Sequence, residues 1–478
     1  MNILFASSEV APFIKSGGLA DVAGSLPQAL AQLGHDVRVI LPLYERVGQQ
    51  WREQMTFLQN FNVHLAWRTP YCGIFELKKD GVTYYFVDNE YYFKRWEIYG
   101  HFDDAERFAF FSRAIIETPG HLGFVPDVIH CNDWQTALVP IYMLEERTRV
   151  PELRNAKTVF TIHNIEYQGR YGRELLENVF GLSTSYCNER MLAYYNDINM
   201  LKGAIYASDY VTTVSPTYAN ELGYDFYAHG LAGVVADNQY KIRGILNGID
   251  VNRYDPRQDK GLAKTFSEKS LKGKAECKAA LQEMAGLEKN PDVPVVACVS
   301  RLVSHKGFDM VAGALHDIMG MGVQMVVLGT GEWRYEEAFR QAAWQYPNRF
   351  SAQIMYSDPF ATAIYGGSDL FLMPSVAEPC GLSQMIAMRY GTLPVVRETG
   401  GLKDSVQPYN QFTGEGTGFS FANVDQGDMT WALRKAVDLY WNDPKAWKQL
   451  QKNAMTTDFS WNRSAKDYEE VYHWITGY

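Results

Sequence analysis

Lys15 and the glycine pair Gly17–Gly18 stand directly ahead of an apolar-periodic segment in KSGGLADVAGSLPQAL (15–30). A helix starting there carries unpaired N–H groups and a partial positive charge at its first turn. Glycine lets another group approach those N–H groups closely, and lysine adds a full charge. The stretch is a candidate anion seat, although a glycine turn that only packs a helix on a sheet would look the same. SRLVSHKG (300–307) offers two more cations five residues apart. Arg301 can grip phosphate oxygens with a planar fork, and Lys306 adds a mobile point charge. A basic surface loop is the other reading of that fragment. AEPCGL (377–382) sets Glu378 against Pro379, with Gly381 and a helix-like stretch beyond. That carboxylate could bind sugar or ribose hydroxyls, or only complement a helix dipole, worth ~0.3–1 kcal/mol. TGGLKDSV (399–406) repeats the glycine pair, so Thr399 and Gly400 are either a further phosphate or sugar contact or a plain left-handed turn.

Each motif follows a short β-branched run. In the first half these are 2–7, 36–42, 126–132, 157–164 and 210–216; in the second, 294–301, 323–330, 352–356, 369–375 and 393–398. Apolar strands alternating with helices predict parallel sheets covered on both faces, hence an α/β protein of two doubly wound, Rossmann-like domains. Ligands of open α/β sheets bind beyond the carboxyl ends of the strands. His163, Asp133 with Trp134, Arg301 with Lys306, Glu378 and the KSGGL stretch all fall there, and two domains facing each other across a hinge would gather them. The expected division is 1–248, 249–456 and a terminal helix, 457–478, packing back on the first domain. Leu19, Val22, Leu26, Leu30 and Leu33 share one helical face, Gly34 is a stop, and Pro27 predicts a kink or break.

The 478 residues, 46% apolar and 21% charged, fit a folded chain of two domains. A net charge of −10 argues against nonspecific nucleic-acid binding. Six scattered cysteines with no CxxC pair suit a reducing, cytoplasmic setting. MNILFASSEV has no basic segment ahead of an apolar one, so no export signal is expected, and no apolar run approaches the ~18 residues of a membrane span. His130 and Cys131 lack a second ligand pair at metal spacing, so no metal site is expected. GTGEW (329–333) follows a strand but lacks the third glycine of a dinucleotide fingerprint.

KSGGLADV, HCNDWQ, FTIHN, VSPTYA, LNGID, SRLVSHKG, SVAEPCGL and RETGGLKDSV, in this order from residue 15 to 406, resemble the signatures of the glycogen and starch synthase family. The resemblance spans essentially the whole chain; K-x-GGL-x-D and EPCGL are its specific motifs. It implies a GT-B fold and retaining transfer of glucose from ADP-glucose to the non-reducing end of an α-1,4-glucan, with no cofactor or metal. It places Lys15, Gly17, Gly18, Asp21, Asn247, Arg301, Lys306, Cys380, Gly381 and Leu382 on the donor, with Tyr356 stacking on adenine. His163 lies beside the glucose, Glu378 belongs to the turn under it, and Glu9, Asp133 and Trp134 fall on the acceptor side. Lys15, His163, Arg301, Lys306 and Glu378 are the expected catalytic set. Two departures stand out. Asn132 and Gln135 replace histidines of the family's frequent HAHDWH, and Ile386 stands where related retaining enzymes carry a second acid. A sucrose- or trehalose-type transferase, a nicotinamide-dependent oxidoreductase and a non-catalytic glycan-binding protein remain alternatives, and oligomeric state is open.

Overall fold

The β-branched runs become the central strands of two separate sheets. The computed structural model describes residues 1–477. Two units emerge, one of Met1–Gly248 with the C-terminal helix from Trp461 on, the other of Ile249–Ser460.

The first unit holds β1 (Asn2–Ala6), β2 (Asp36–Pro42), β3 (Thr56–Asn62), β4 (Tyr71–Lys79), β5 (Val82–Asp88), β6 (Val128–Asn132) and β7 (Lys157–Ile162). The short β8 (Arg170–Gly172), β9 (Ala193–Tyr194) and β10 (Asp197–Asn199) form a separate three-stranded sheet, and β11 (Tyr210–Thr213) and β12 (Ile242–Gly244) rejoin the main one. Its nine strands run β12-β11-β7-β6-β1-β2-β5-β4-β3. Ile3, Leu4, Phe5 and Ala6 of β1 are wholly buried, as a strand covered on both faces requires. The sheet is not parallel throughout. β4 pairs antiparallel with β5 and β3 with β4. Asp80 and Gly81, both at positive φ (51° and 79°), make the two-residue turn between β4 and β5.

Helix Gly18–Gln32 packs Leu19, Val22, Leu26 and Leu30 into the core and runs through Pro27 without the expected break. Packing of that face offsets the donor that proline removes. Gly34 ends it at φ +95°. The C-terminal helix begins at Trp461, not at 457. Residues 457–460 stay with the second unit, where the Phe459 carbonyl accepts the Ile249 N–H at 2.8 Å. The helix is tied to the first sheet by a buried chain of hydrogen bonds. Tyr472 OH meets His130 Nδ1 at 2.7 Å, His130 Nε2 meets Thr161 Oγ1 at 2.5 Å, and Thr161 meets Thr212 at 2.6 Å. Arg243 adds ion pairs to Asp467 and Glu470, both at 3.0 Å.

The second unit carries β13 (Val295–Val299), β14 (Gln324–Leu328), β15 (Phe350–Gln353), β16 (Leu370–Met373), β17 (Leu393–Arg397) and β18 (Phe419–Phe421). They are all parallel, in the order β15-β14-β13-β16-β17-β18. This is the doubly wound 3-2-1-4-5-6 arrangement. β15 ends at Gln353, so Tyr356 lies beyond the strand rather than at its end. The strand order reverses between β1 and β6 in one sheet and between β13 and β16 in the other. Ligands of such sheets bind outside the strands' carboxyl ends at these points. Among the described residues no helix is long and apolar enough to cross a membrane.

Candidate active site

At the first switch point the chain leaves β1 and loops back so that Glu9 reaches the start of helix Gly18–Gln32. The buried Glu9 carboxylate accepts the Ser16 N–H at 2.5 Å, Ser16 Oγ at 2.7 Å and the Gly17 N–H at 3.3 Å. Burial pushes its carboxyl above the ordinary value, while these hydrogen bonds pull the other way. The predicted anion seat therefore already holds an internal anion over two of its N–H groups. Lys15 is likewise engaged, its Nζ 2.8 Å from both Asp21 carboxylate oxygens on an exposed face. Gly18 keeps open space, since an added Cβ would meet nothing within 4 Å. Its N–H, first in the helix, has no intrahelical partner.

β6 and β7 deliver the neighbouring groups. Asp133 follows β6 at φ 56°, ψ −179°, a conformation costing on the order of 1–3 kcal/mol for a residue with a Cβ. Hydrogen bonds from both its backbone and its side chain hold it there. Its N–H donates to the Thr161 carbonyl (3.0 Å), its Oδ1 accepts the His163 N–H (2.7 Å), and its carbonyl accepts Thr136 Oγ1 (3.2 Å). His163, half-buried at the end of β7, turns its Nε2 to Asn132 Oδ1 at 2.8 Å. Burial drives its ring to about 3, so it is neutral near pH 7. Trp134 is buried, its ring edge-on to Phe108 at 5.1 Å, so little of its surface faces a ligand. Asn247, just before the end of the unit's first segment, has a buried Oδ1 with no hydrogen-bond partner among the described residues, an orphan acceptor of the kind a bound ligand satisfies.

Burial pushes the Asp133 carboxyl up to about 7, against the lowering influence of the His163 and Asn164 N–H groups. A carboxyl raised on folding binds its proton more tightly in the native state, so its contribution to stability is full below the ordinary range near 4. That contribution is lost as pH rises toward 7. Asp133→Asn keeps the acceptor oxygen and cannot ionise. Its melting temperature relative to the parent should therefore be higher at pH 8 than at pH 5, and parallel melting curves at both pH values would remove this assignment.

In the second unit three glycine-bearing loops interlock around the ends of β13 and β16. Gly329 and Gly331 of GTGEW pass so close to the preceding loop that an added Cβ would lie 1.9 Å from the Ser300 carbonyl and 2.1 Å from that of Leu302. Glu332 accepts the Ser304 N–H at 3.1 Å. These glycines brace the Arg301 loop, which accounts for them without a dinucleotide. Gly307, at φ +77°, sits against the Pro374 carbonyl, and the Val376 N–H donates to the His305 carbonyl at 2.8 Å. The two loops, zipped together, set Lys306 Nζ 2.6 Å from Glu378 Oε2, which also accepts Ser375 Oγ at 3.1 Å. Arg301 is exposed and has no acid partner among the described residues.

Gly400 and Gly401 pack under this turn, where Cβ atoms would lie 1.9 Å from the Glu378 carbonyl and 2.1 Å from that of Cys380. The Gly401 N–H donates to the Glu378 and Pro379 carbonyls, both at 3.2 Å. Close packing thus calls for the glycine pair after Thr399, which is itself wholly buried. Gly381, at φ +72°, turns the chain into helix Ser383–Arg389, with Leu382 at its N-cap and the Cys380 thiol buried. Ile386 is in the core of that helix, so no second acid faces Glu378 from there. The Tyr356 ring is 80% exposed, its OH 2.9 Å from Asp358. Ser16 and Ser375, which position Glu9 and Glu378, carry no sequence signal of that role.

Residues 2–237 match the family model described as the starch synthase catalytic domain, and residues 281–455 match that of glycosyl transferases group 1. A glycogen synthase of Geobacillus thermodenitrificans is 48% identical over 472 residues, covering 99% of this chain and 97% of its own. One of Clostridium novyi is 47% identical over 473 residues, covering 99% and 98%. Among solved structures, the catalytic domain of starch synthase IV from Arabidopsis thaliana, bound to ADP and acarbose, superimposes with a TM-score of 0.92 at 35% identity, covering 100% of this chain and 99% of that one. A sucrose-phosphate synthase from Thermosynechococcus elongatus shares the fold at a TM-score of 0.62 and 16% identity. Such identity, end to end, excludes the oxidoreductase and the non-catalytic readings: the chain belongs to the glycogen and starch synthase family of glucosyltransferases.

Proposed function

We propose that this chain transfers glucose from ADP-glucose to the non-reducing 4-hydroxyl of an α-1,4-glucan, with retention, as a cytoplasmic enzyme that needs no metal ion. The observation that carries the reading is the pair of cations at the β13/β16 switch point, with Arg301 lacking an acid partner among the described residues and Lys306 held by Glu378. The ADP and acarbose bound by the starch synthase relative support the donor and acceptor classes. Arg301 and Lys306 take the diphosphate, Tyr356 stacks on the base, and Asn247 offers its orphan acceptor to the donor. Within the first unit, Lys15, the open Gly18 N–H and His163 are the groups suited to a phosphate and a sugar hydroxyl.

The step breaks the bond from the anomeric carbon to the diphosphate oxygen and forms one to the acceptor O4. Negative charge grows on ADP, where fixed cations act most strongly. The acceptor attacks on the face the diphosphate leaves, and its proton passes to the departing phosphate oxygen. Glu378 is tied to Lys306 and Ser375, which suits a hydroxyl-binding carboxylate better than a nucleophile.

Incubation with a maltooligosaccharide primer and equimolar ADP-glucose and UDP-glucose tests the reading. Chains longer by single glucose units, with ADP released in excess of UDP, are expected. Product at a sugar phosphate or fructose acceptor would overturn it, as would a glucosyl adduct on enzyme denatured during turnover.

A further inference from the structure

Asn132, the last residue of β6, is wholly buried, and its amide is held at both ends. Nδ2 donates to the Ala6 carbonyl of β1 at 2.9 Å. A backbone carbonyl only accepts, so the nitrogen must face Ala6 and the oxygen must face His163 Nε2, 2.8 Å away. An amide oxygen also only accepts, which places a proton on Nε2. In the neutral ring the lone pair then resides on Nδ1, and no hydrogen bond to Nδ1 occurs among the described residues. The His163 backbone is fixed separately by its N–H to Asp133 Oδ1.

We propose that Asn132 is a positioning residue, holding His163 in the Nε2–H tautomer so that Nδ1 is presented as an acceptor to a hydroxyl of the bound sugar. This rests on the reading of His163 as a donor-site residue. The order of assignment runs across three strands, from the Ala6 carbonyl to the Asn132 amide to the His163 ring, and none of these links depends on a charged group. The titratable groups around His163 are His130 of β6, whose ring feels that of His163, and Asp133 just past β6, which holds the His163 backbone N–H and itself feels Glu9, while the Tyr218 hydroxyl accepts the nearby Ile165 N–H. Burial keeps the His163 and His130 rings both neutral near pH 7, each at about 3. An acid at position 132 would instead set a negative charge against Nε2 and favour the imidazolium, which has no lone pair to offer.

Nitrogen-15 NMR of the full chain labelled at histidine, with His163 assigned from the spectrum of His163→Gln, reads the tautomer directly. A pyrrole-type Nε2 and a pyridine-type Nδ1, unchanged from pH 6 to 9, are expected. A protonated Nδ1 with a bare Nε2 would overturn the proposal, and this holds even if variants at 132 fail to fold. In Asn132→Asp the acid limb of kcat/KM should move up by about one pH unit or more, with activity recovering toward alkaline pH. A folded variant whose profile superimposes on the parent's would also overturn it. His163→Ala tests the underlying reading separately. Full turnover there, with the Nε2–H tautomer observed in the parent, would remove His163 from the donor site and the positioning role with it.

Discussion

Arg301→Ala and Lys306→Ala should each lower turnover of ADP-glucose onto a glucan primer by about a hundredfold or more, while the chain stays folded. Removing one preorganised donor aimed at developing charge costs ~2.7–4 kcal/mol in sites of this type. The diphosphate gains charge as the glucosyl bond breaks, so the loss should appear mainly in kcat rather than in ADP affinity. The two variants should differ in stability. Arg301 is exposed and makes no ion pair among the described residues, so its truncation should leave the melting temperature within a degree or so of the parent. Lys306 is the counter-ion of the buried Glu378, 2.6 Å away, and its truncation leaves that carboxylate with Ser375 alone. Lys306→Ala should therefore melt lower than Arg301→Ala at comparable activity loss. Steady-state kinetics and thermal unfolding of both variants decide the matter, and near-normal turnover in the pair would remove the phosphate role from this loop.

What could be read from the sequence was the chemistry at strand ends. His163, Asp133, Arg301 and Glu378 stand just past apolar β-branched runs, and a parallel sheet has to direct such residues to one edge. Of the antiparallel edge β3–β4–β5, β3 escaped because TFLQNFN is polar and mostly exposed and so shows no apolar run, whereas β5, VTYYFVD, is a buried apolar run whose strand direction its composition does not tell. Its one local signal was Asp80–Gly81, a two-residue turn of the hairpin type. The occupied helix start was not legible either. Ser16 and Gly17 meet Glu9 only because the chain from 9 to 16 folds back on itself, and nothing in eight residues of local pattern encodes that return. The same holds for the glycines. Gly329, Gly331, Gly400 and Gly401 look like ligand-binding glycines in sequence, yet each is demanded by a neighbouring carbonyl, and only the folded chain says which. Asn132 could be recognised as a departure from the family pattern, but its role depends on Ala6, 126 positions away.

The second large effect is expected from a methyl group. Gly307→Ala places a Cβ about 2.0 Å from the Pro374 carbonyl oxygen and 2.7 Å from its carbon, both backbone atoms that cannot rotate aside. It also asks an L-residue to hold φ +77°, which alone costs about 1–2 kcal/mol. Relief requires the 301–307 loop to lift from the turn after β16, and that breaks the Val376 to His305 hydrogen bond and the Lys306–Glu378 contact together. A displacement of about 1 Å at groups that position a reacting bond is enough for roughly a hundredfold loss. Gly286→Ala is the control. It too holds a left-handed conformation, at φ +69°, but in open space, with nothing within 4 Å of an added Cβ. It should show the strain as a slightly lower melting temperature and keep turnover within about twofold of the parent. If Gly307→Ala behaves like Gly286→Ala in both kinetics and melting, the two loops are not clamped through this contact, and the placement of Lys306 on Glu378 must have another cause.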